Sequence, residues 1–295
     1  MSVTFRDLTT LEDFALVVDL ERQIWGPVYD DVVPVSILAV SVHSGGILIG
    51  AFDGDRMVGF VYSLPGIKDG KATQWSHMAG VVSSHRSAGL GYQLKLLQRE
   101  RALSMGLDLV QWTYDPLQAM NAHLNFSKLG VVVSEYAENI YGLSTSPLHA
   151  GLPTDRFVAD WWIRKPHVER RLAAREARDP EAAARPSMIL RDHSIVDARR
   201  VNGLVPAGES FECGDVDLTL DAPRLAVEIP TGFTEMLAQN PTLALTWRMQ
   251  TRAIFTAYFT RGYRAVEFFL DRPSRKGTYL LARTDREAMD AEACR

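Results

Sequence analysis

The stretch that most constrains this chain runs from Val81 to Gly91, reading Val-Val-Ser-Ser-His-Arg-Ser-Ala-Gly-Leu-Gly. An apolar strand ends there, a short polar loop follows, and a helix starts at about Gly89. Backbone N–H groups converge on one anion only where the turn is tight and no side chain intervenes, which Gly89 and Gly91 allow. The first helical turn adds unpaired donors and a positive dipole end, and Arg86 adds a charge. Arg86, Ser87, Ala88, Gly89, Leu90 and Gly91 are therefore read as a loop for a diphosphate. A dinucleotide fingerprint wants glycine where Leu94 stands, and a Walker loop wants Gly-Lys-Ser/Thr where the chain has Gly91-Tyr92-Gln93, so both are set aside.

The elements around this loop follow from periodicity. A strand over 3–9 precedes a helix from Leu11 with Phe14, Val17, Val18 and Ile24 at helical spacing, ended by Trp25-Gly26-Pro27. A second helix fits Pro34 to His43. Two apolar runs, Gly46 to Phe52 and Met57 to Tyr62, flank Asp53-Gly54-Asp55 as an antiparallel hairpin. A strand over 74–82, a helix over 89–105 stopped by Gly106, a strand over 107–114, a helix over 116–129 and a strand over 131–141 complete the series. The fold class expected is α/β of the α+β kind.

A chain of 295 residues favours two units. Arg, Glu and Ala punctuated by Pro166, Pro180 and Pro186 predict a charged connector, which gives domains over 1–165 and 187–285, a connector over 166–186 and a tail over 286–295. In the second domain a strand over 225–229, a helix over 247–261, and strands over 263–270 and 278–283 are legible. The order helix, glycine, strand repeats that of 101–114, an echo consistent with a degenerate second half. Trp247, Ile254, Phe255, Tyr258 and Phe259 form a stripe expected to face a core or a subunit.

Bulk chemistry excludes several classes. A net charge of −4 without long charged blocks leaves no footprint for nucleic acid. Two cysteines, Cys213 and Cys294, make neither a disulfide framework nor a metal pattern, so no metal is called. Neither a signal-like segment nor an uncharged run of about 18 residues is present, so a cytoplasmic protein without a membrane span is expected. Partners are expected to be small molecules, with a homodimer left open.

With these elements in place, Arg86 to Gly91 resembles the acyl-CoA signature Q/R-x-x-G-x-G/A of the GNAT acetyltransferase superfamily. Asn121 to Val131 (Asn-Ala-His-Leu-Asn-Phe-Ser-Lys-Leu-Gly-Val) resembles its second signature, an Asn on the following helix, then an aromatic residue and Gly. The resemblance covers residues 3 to 165. Trp25-Gly26, Asp115-Pro116, Lys128-Leu129-Gly130, Leu152 to Arg156 and Trp161-Trp162 are also similar to a bacterial GNAT group with a C-terminal extension. It implies a mostly antiparallel central sheet flanked by helices, with the strands at 74–82 and 107–114 splayed. The pantetheine arm of acetyl-CoA or another acyl-CoA, such as succinyl-CoA, would lie between them against the backbone of Val81 and Val82, with Asn121 and Phe126 also at the cofactor. The acceptor implied is a small amine such as an amino acid.

Acyl transfer to an amine needs a deprotonated amine, a polarised thioester carbonyl and a tolerable leaving group. A backbone N–H near Val81 supplies the second. His77 is the titratable candidate for the first, since simple alternation puts it on one strand face with Ala79 and Val81. Phe126 stands where many relatives carry a tyrosine that protonates the departing thiolate, so Tyr92, Tyr114 and Ser127 are the candidate acids. Asp115 is read as a turn residue ahead of its alternative, an ammonium anchor. An N-acyltransferase is the first reading, and a CoA-binding regulatory or scaffold protein with reduced catalysis is the second.

Overall fold

A computed structural model describes residues 3–26, 29, 31–86, 89–142, 151–176 and 195–283. They form two compact units, one within Met1–Trp112 and the other within Thr113–Ser144 and Ala150–Arg295. These compact units divide the chain elsewhere than the domain boundary expected near residue 165. The architecture is mixed α/β with mostly antiparallel strands flanked by helices, as the sequence predicts.

In the first unit, β1 (Thr4–Asp7) leads into α1 (Leu11–Trp25). α1 starts where it does because Thr10 and Asp13 cap each other: the Asp13 N–H donates to Thr10 Oγ1 at 3.2 Å, and the Thr10 N–H to Asp13 Oδ2 at 3.3 Å. Its buried face carries Phe14, Val17 and Leu20. α2 (Val35–His43), β2 (Ile47–Asp53), β3 (Arg56–Lys68) and β4 (Lys71–Val81) follow. β3 turns into β4 through Asp69 and Gly70, both at positive φ, the geometry that tight hairpins require. β1, β2, β3 and β4 pair antiparallel in that order. α3 (Leu90–Ser104) then crosses over to β5 (Leu109–Tyr114), which runs parallel to β4.

Two glycines show on which side each helix packs. A side chain at Gly59 would meet Leu94 of α3, whereas one at Gly80 would come within 2.7 Å of Ile24 Cδ1 in α1. Gly59 pairs with Val81 and Phe60 with Gly80, which are adjacent rungs of opposite facing. α1 and α3 therefore cover opposite faces of this sheet.

The second unit contains α4 (Ala119–Ala122), which widens into a π-helical turn over His123–Leu129, then β6 (Val132–Ala137), β7 (Arg156–Trp162) and α5 (Pro166–Glu176). After residue 194 come β8 (Arg199–Arg200), β9 (Leu204–Ala207), β10 (Ser210–Cys213), β11 (Arg224–Pro230), α6 (Phe233–Gln239), α7 (Pro241–Thr260), β12 (Tyr263–Asp271) and β13 (Lys276–Arg283). β7, β6, β12, β13 and β11 are antiparallel neighbours, β8 adds a parallel edge to β11, and β9 and β10 form a separate antiparallel pair. The stripe of α7 faces this core, with Phe255 and Phe157 rings 4.5 Å apart and Trp247 and Tyr258 fully buried.

Several expectations need correction here. The helix expected over 116–129 is a four-residue α-helix followed by a π turn, because the Asp115-Pro116 turn delays its start and the Leu117 N–H is taken by Asp115 Oδ1. The strand expected to 141 stops at Ala137, where Asn139 adopts a positive φ and its N–H donates to Asp155 Oδ1. The connector reads as helix from Pro166 to Glu176; residues 177–186 and the tail lie outside the described residues. The short strands β8, β9 and β10 and helix α6 carry too little periodicity to be read beforehand.

Candidate functional site

The candidate site is built on the end of β4. Its ladder with β3 runs in register to Ser63↔Ser76 and resumes at Tyr62↔Met78, which leaves His77 as an extra residue, a β-bulge. An inserted residue shifts the alternation by one. Val81 lies on the α3 face, where its Cγ2 is near Gly59, whereas His77 sits with its ring edge on Tyr62 at 6.0 Å, and Tyr62 bonds Ser41 of α2. The expectation that His77 shares a face with Ala79 and Val81 is thereby corrected; the bulge turns it toward α1 and α2.

β4 and β5 form two rungs, Gln74↔Val110 and Trp75↔Gln111, and the ladder ends there. Ser76 and Trp112 therefore stand where the strands part. Beyond that point β4 continues to Val81, with His77 and Ala79 exposed. The Val82 N–H donates to Val58 O at 2.9 Å, so Val82 belongs to a hydrogen-bonded pair with β3. Antiparallel alternation then turns the N–H and C=O of Val81 away from β3, into the opening. The Val81 carbonyl accepts from Arg86 Nε at 3.2 Å. Val82 is otherwise occupied, its carbonyl accepting from the His85 N–H at 3.0 Å.

The loop beyond β4 makes a single 3₁₀ turn over Ser83–His85, pinned to the β2–β3 turn by His85 Nε2 and Asp53 Oδ2 at 3.3 Å. Ser87 and Ala88 lie outside the described residues. Gly89 starts α3 at φ 79°, a left-handed conformation that favours glycine. Among the described residues no side chain caps this helix, and its first turn holds no acidic residue, in contrast to the boxed start of α1 with Glu12 and Asp13. Leu90 is buried and anchors the turn, while a side chain at Gly91 would meet nothing within 4 Å. Gly89 and Gly91 thus offer backbone donors with an open approach, three residues past the exposed Arg86, the residue types an anionic diphosphate needs.

Beneath the opening lies a feature that the sequence reading passed over. Lys95 of α3 is buried with its Nζ 2.8 Å from Ser76 Oγ, 3.1 Å from Gln98 Oε1 and 3.8 Å from the centre of the Trp112 ring. Gln98 Nε2 closes the triangle by donating to Ser76 Oγ at 3.0 Å. Burial pulls the Lys95 pKa down to about 7, since among the described residues no carboxylate offsets the desolvation. The signal was present: Leu94, Gln98 and Ala102 recur at helical spacing, and two polar residues on that stripe are anomalous.

On the α1 and α2 face, desolvation lowers the pKa of His77, partly offset by Asp31. Glu21 is fully buried with Oε2 accepting from the Val33 N–H at 2.9 Å and, among the described residues, no hydrogen-bond partner for Oε1. Desolvation pushes its pKa up to about 7.

The remaining predicted residues belong to the second unit, each with its own surroundings. Asn121 is exposed on α4 and does not cap it, since Gln118 holds the cap position. Phe126 is fully buried with its ring edge on Tyr279. The Ser127 hydroxyl donates to Phe268 O at 2.7 Å, which commits its proton to structure. The Tyr114 hydroxyl is buried beside Tyr279, and desolvation holds its pKa well above the ordinary value. Asp115 makes a two-bonded ion pair with Arg248 at 2.8 and 2.5 Å, so the ammonium-anchor alternative falls to a partner 133 residues away. Among the described residues no cluster of three His, Cys, Asp or Glu side chains is placed to hold a metal ion, and no helix is long and apolar enough to cross a membrane.

No protein-family model and no curated protein matches the chain. Solved structures do. An acetyltransferase of the GNAT family from Streptococcus pneumoniae is 16% identical, with 54% of this chain covering 98% of that one at a TM-score of 0.44. The ribosomal-protein-S18-alanine N-acetyltransferase of Escherichia coli is also 16% identical, over 55% of this chain and 94% of its own, at 0.44. An aminoglycoside 6′-acetyltransferase type Ii is 21% identical over 55% and 97%, at 0.43.

Proposed function

We propose that this chain is an acyl-CoA-dependent N-acyltransferase acting on a small amine, with residues 1–165 as its donor-binding part. One observation carries the reading: β4 leaves β5 after two rungs, and the chain that follows it leads through Arg86 into a helix that starts on a left-handed glycine with no acidic residue in its first turn. The diphosphate of coenzyme A rests on the N–H groups around Gly89 and Gly91 with Arg86 at its side. The pantetheine arm runs along β4 as a substitute strand, bonding the main chain that points into the opening. The Val81 N–H polarises the thioester carbonyl, a preorganised donor where negative charge develops. A thiol of ordinary pKa about 8.5 leaves without a dedicated acid, which accommodates Phe126 and the committed hydroxyl of Ser127. Asn121, exposed on α4, is kept as the residue that meets the amide arm of the cofactor. Acetyl and succinyl donors, and an amino acid as acceptor, are the first to try.

Calorimetry with coenzyme A tests the reading. Arg86→Ala is expected to weaken binding about 10- to 100-fold, the value of one charge-assisted hydrogen bond. Gly91→Glu, whose side chain enters open space and opposes the anion, is expected to abolish binding with the fold retained. Equal affinity of all three proteins would refute the placement. Thiol release from acyl-CoA with an amine present then separates the enzyme from a CoA-binding regulator, the reading that the enclosed Phe126 favours.

A further inference from the structure

The last turn of α1 lies directly on the free end of β4. A side chain at Gly80 would come within 2.7 Å of Ile24 Cδ1, 3.1 Å of Trp25 Cη2 and 3.4 Å of Trp25 Cζ2, so the indole rests on bare backbone. A glycine inside a strand weakens it and marks such a close approach. Gly80 pairs with Phe60, whose ring meets the Trp25 indole edge to face at 6.0 Å. Tyr29, held by its N–H to Gly26 O at 3.2 Å, extends the surface with its ring 5.7 Å from the indole. Trp25 and Tyr29 are only half-buried, whereas Phe60 is fully enclosed. An aromatic wall therefore reaches the surface beside the residue that precedes Val81. Gly80 and Val81 share a peptide bond, which puts the indole edge within about 6 Å of the Val81 N–H.

We propose that Trp25, extended by Tyr29, sets acceptor specificity by receiving the apolar side group of an amino acid such as leucine or phenylalanine while that amino acid's nitrogen attacks the thioester. This rests on the acyltransferase reading, in which the thioester oxygen accepts from the Val81 N–H. A hydrogen bond to a carbonyl lies near the carbonyl plane, and an arm that binds as a strand keeps that plane close to the sheet. A nucleophile meets a carbonyl carbon from above or below this plane, so the amine arrives from one face of β4. On the α3 face the Val81 side chain stands at this level, its Cγ2 turned toward Gly59 beside Leu94. On the α1 face Gly80 carries no side chain, and the incoming amine finds the half-exposed indole as its neighbour. Ile24, Trp25, Tyr29 and Phe60 bring no charge to the wall, which favours an apolar body over a charged one.

The test is kcat/KM for thiol release from acetyl-CoA with glycine, leucine, phenylalanine, lysine and aspartate as acceptors. The wild type is expected to favour leucine and phenylalanine over the other three. Trp25→Ala is expected to lower the phenylalanine-to-glycine ratio of kcat/KM about 10- to 100-fold, the discrimination that an apolar contact supplies. Gly80→Ala, whose methyl group displaces the indole, is expected to lower the ratio in the same direction. Trp25→Phe, which keeps an aromatic wall, is expected to recover most of it and guards against a folding defect. A purely structural role would lower the rates with all acceptors alike and leave the ratio unchanged. That result, or a wild-type preference for glycine, lysine or aspartate, would overturn the wall and leave the acyltransferase reading intact. Calorimetry showing no binding of acetyl-CoA to the wild type, or no thiol release with any of these acceptors, would overturn both.

Discussion

Replacing Lys95 by Met is expected to make this protein more stable, and the size of the gain follows from the environment of Nζ. The ordinary lysine pKa of 10.5 falls to about 7 in the folded chain. At about 1.4 kcal/mol per pH unit, that gap makes the buried ammonium cost about 5 kcal/mol at and below pH 7. The sign follows from proton counting. Between pH 7 and 10.5 the unfolded chain binds a proton that the folded chain does not, so stability rises with pH across that window and the penalty vanishes above it. Met has similar reach and no charge, but it leaves Gln98 Oε1 without its donor, a loss of about 1–3 kcal/mol. A net gain of about 2–4 kcal/mol at pH 7 is therefore expected. Urea unfolding of both proteins at pH 6.5, 8 and 9.5 measures it. The gap should narrow as pH rises. A variant less stable than the parent at pH 6.5 would show that the ammonium is stabilising, and a gap independent of pH would show that folding leaves the lysine pKa unchanged; either would refute the argument from burial.

Two further outcomes follow from other buried charges. Glu21→Gln should raise stability by at most about 3 kcal/mol above pH 7, because a carboxyl whose pKa climbs from 4.5 to about 7 loses stability as pH rises between those values; denaturation at pH 4 and pH 8 reads it, and equal gaps at both would contradict it. Asp115→Asn should lower stability by about 3–5 kcal/mol, since Arg248 would be left buried and uncompensated; the double variant Asp115→Asn/Arg248→Met should recover most of that, and a single variant within 1 kcal/mol of wild type would rule the account out.

What the sequence showed and what it hid divide along physical lines. Helices α1, α2, α3 and α7 were legible because each carries an apolar stripe together with a cap or a stop, as in Thr10-x-x-Asp13 or the Gly106 that follows α3. The first hairpin was legible at Asp53-Gly54-Asp55; the second, at Asp69-Gly70, was not, because β3 runs on to Lys68, past the apolar run that ends at Tyr62. The bulge was not: no residue type announces one extra position in a strand, so simple alternation assigned His77 to the wrong face. The π turn after Ala122 was invisible for the same reason, since its sequence is also good α-helix. Pairings such as Asp115 with Arg248 and Ser127 with Phe268 join residues more than 130 positions apart, beyond any local pattern. Lys95 and Gln98 differ from these, because a polar pair on an apolar stripe is a local signal that invited the question of what they face.

The extra residue at 77 also separates two tasks along a single strand. Positions before it pair with both β3 and β5 and meet the α3 lysine, and positions after it pair with β3 and pack against α1. A substitution on one side need not propagate to the other, because the bulge absorbs a change of phase. The two stretches of β4 can therefore vary independently in this scaffold, and a one-residue deletion at 77 would couple them again by bringing the strand back into even alternation.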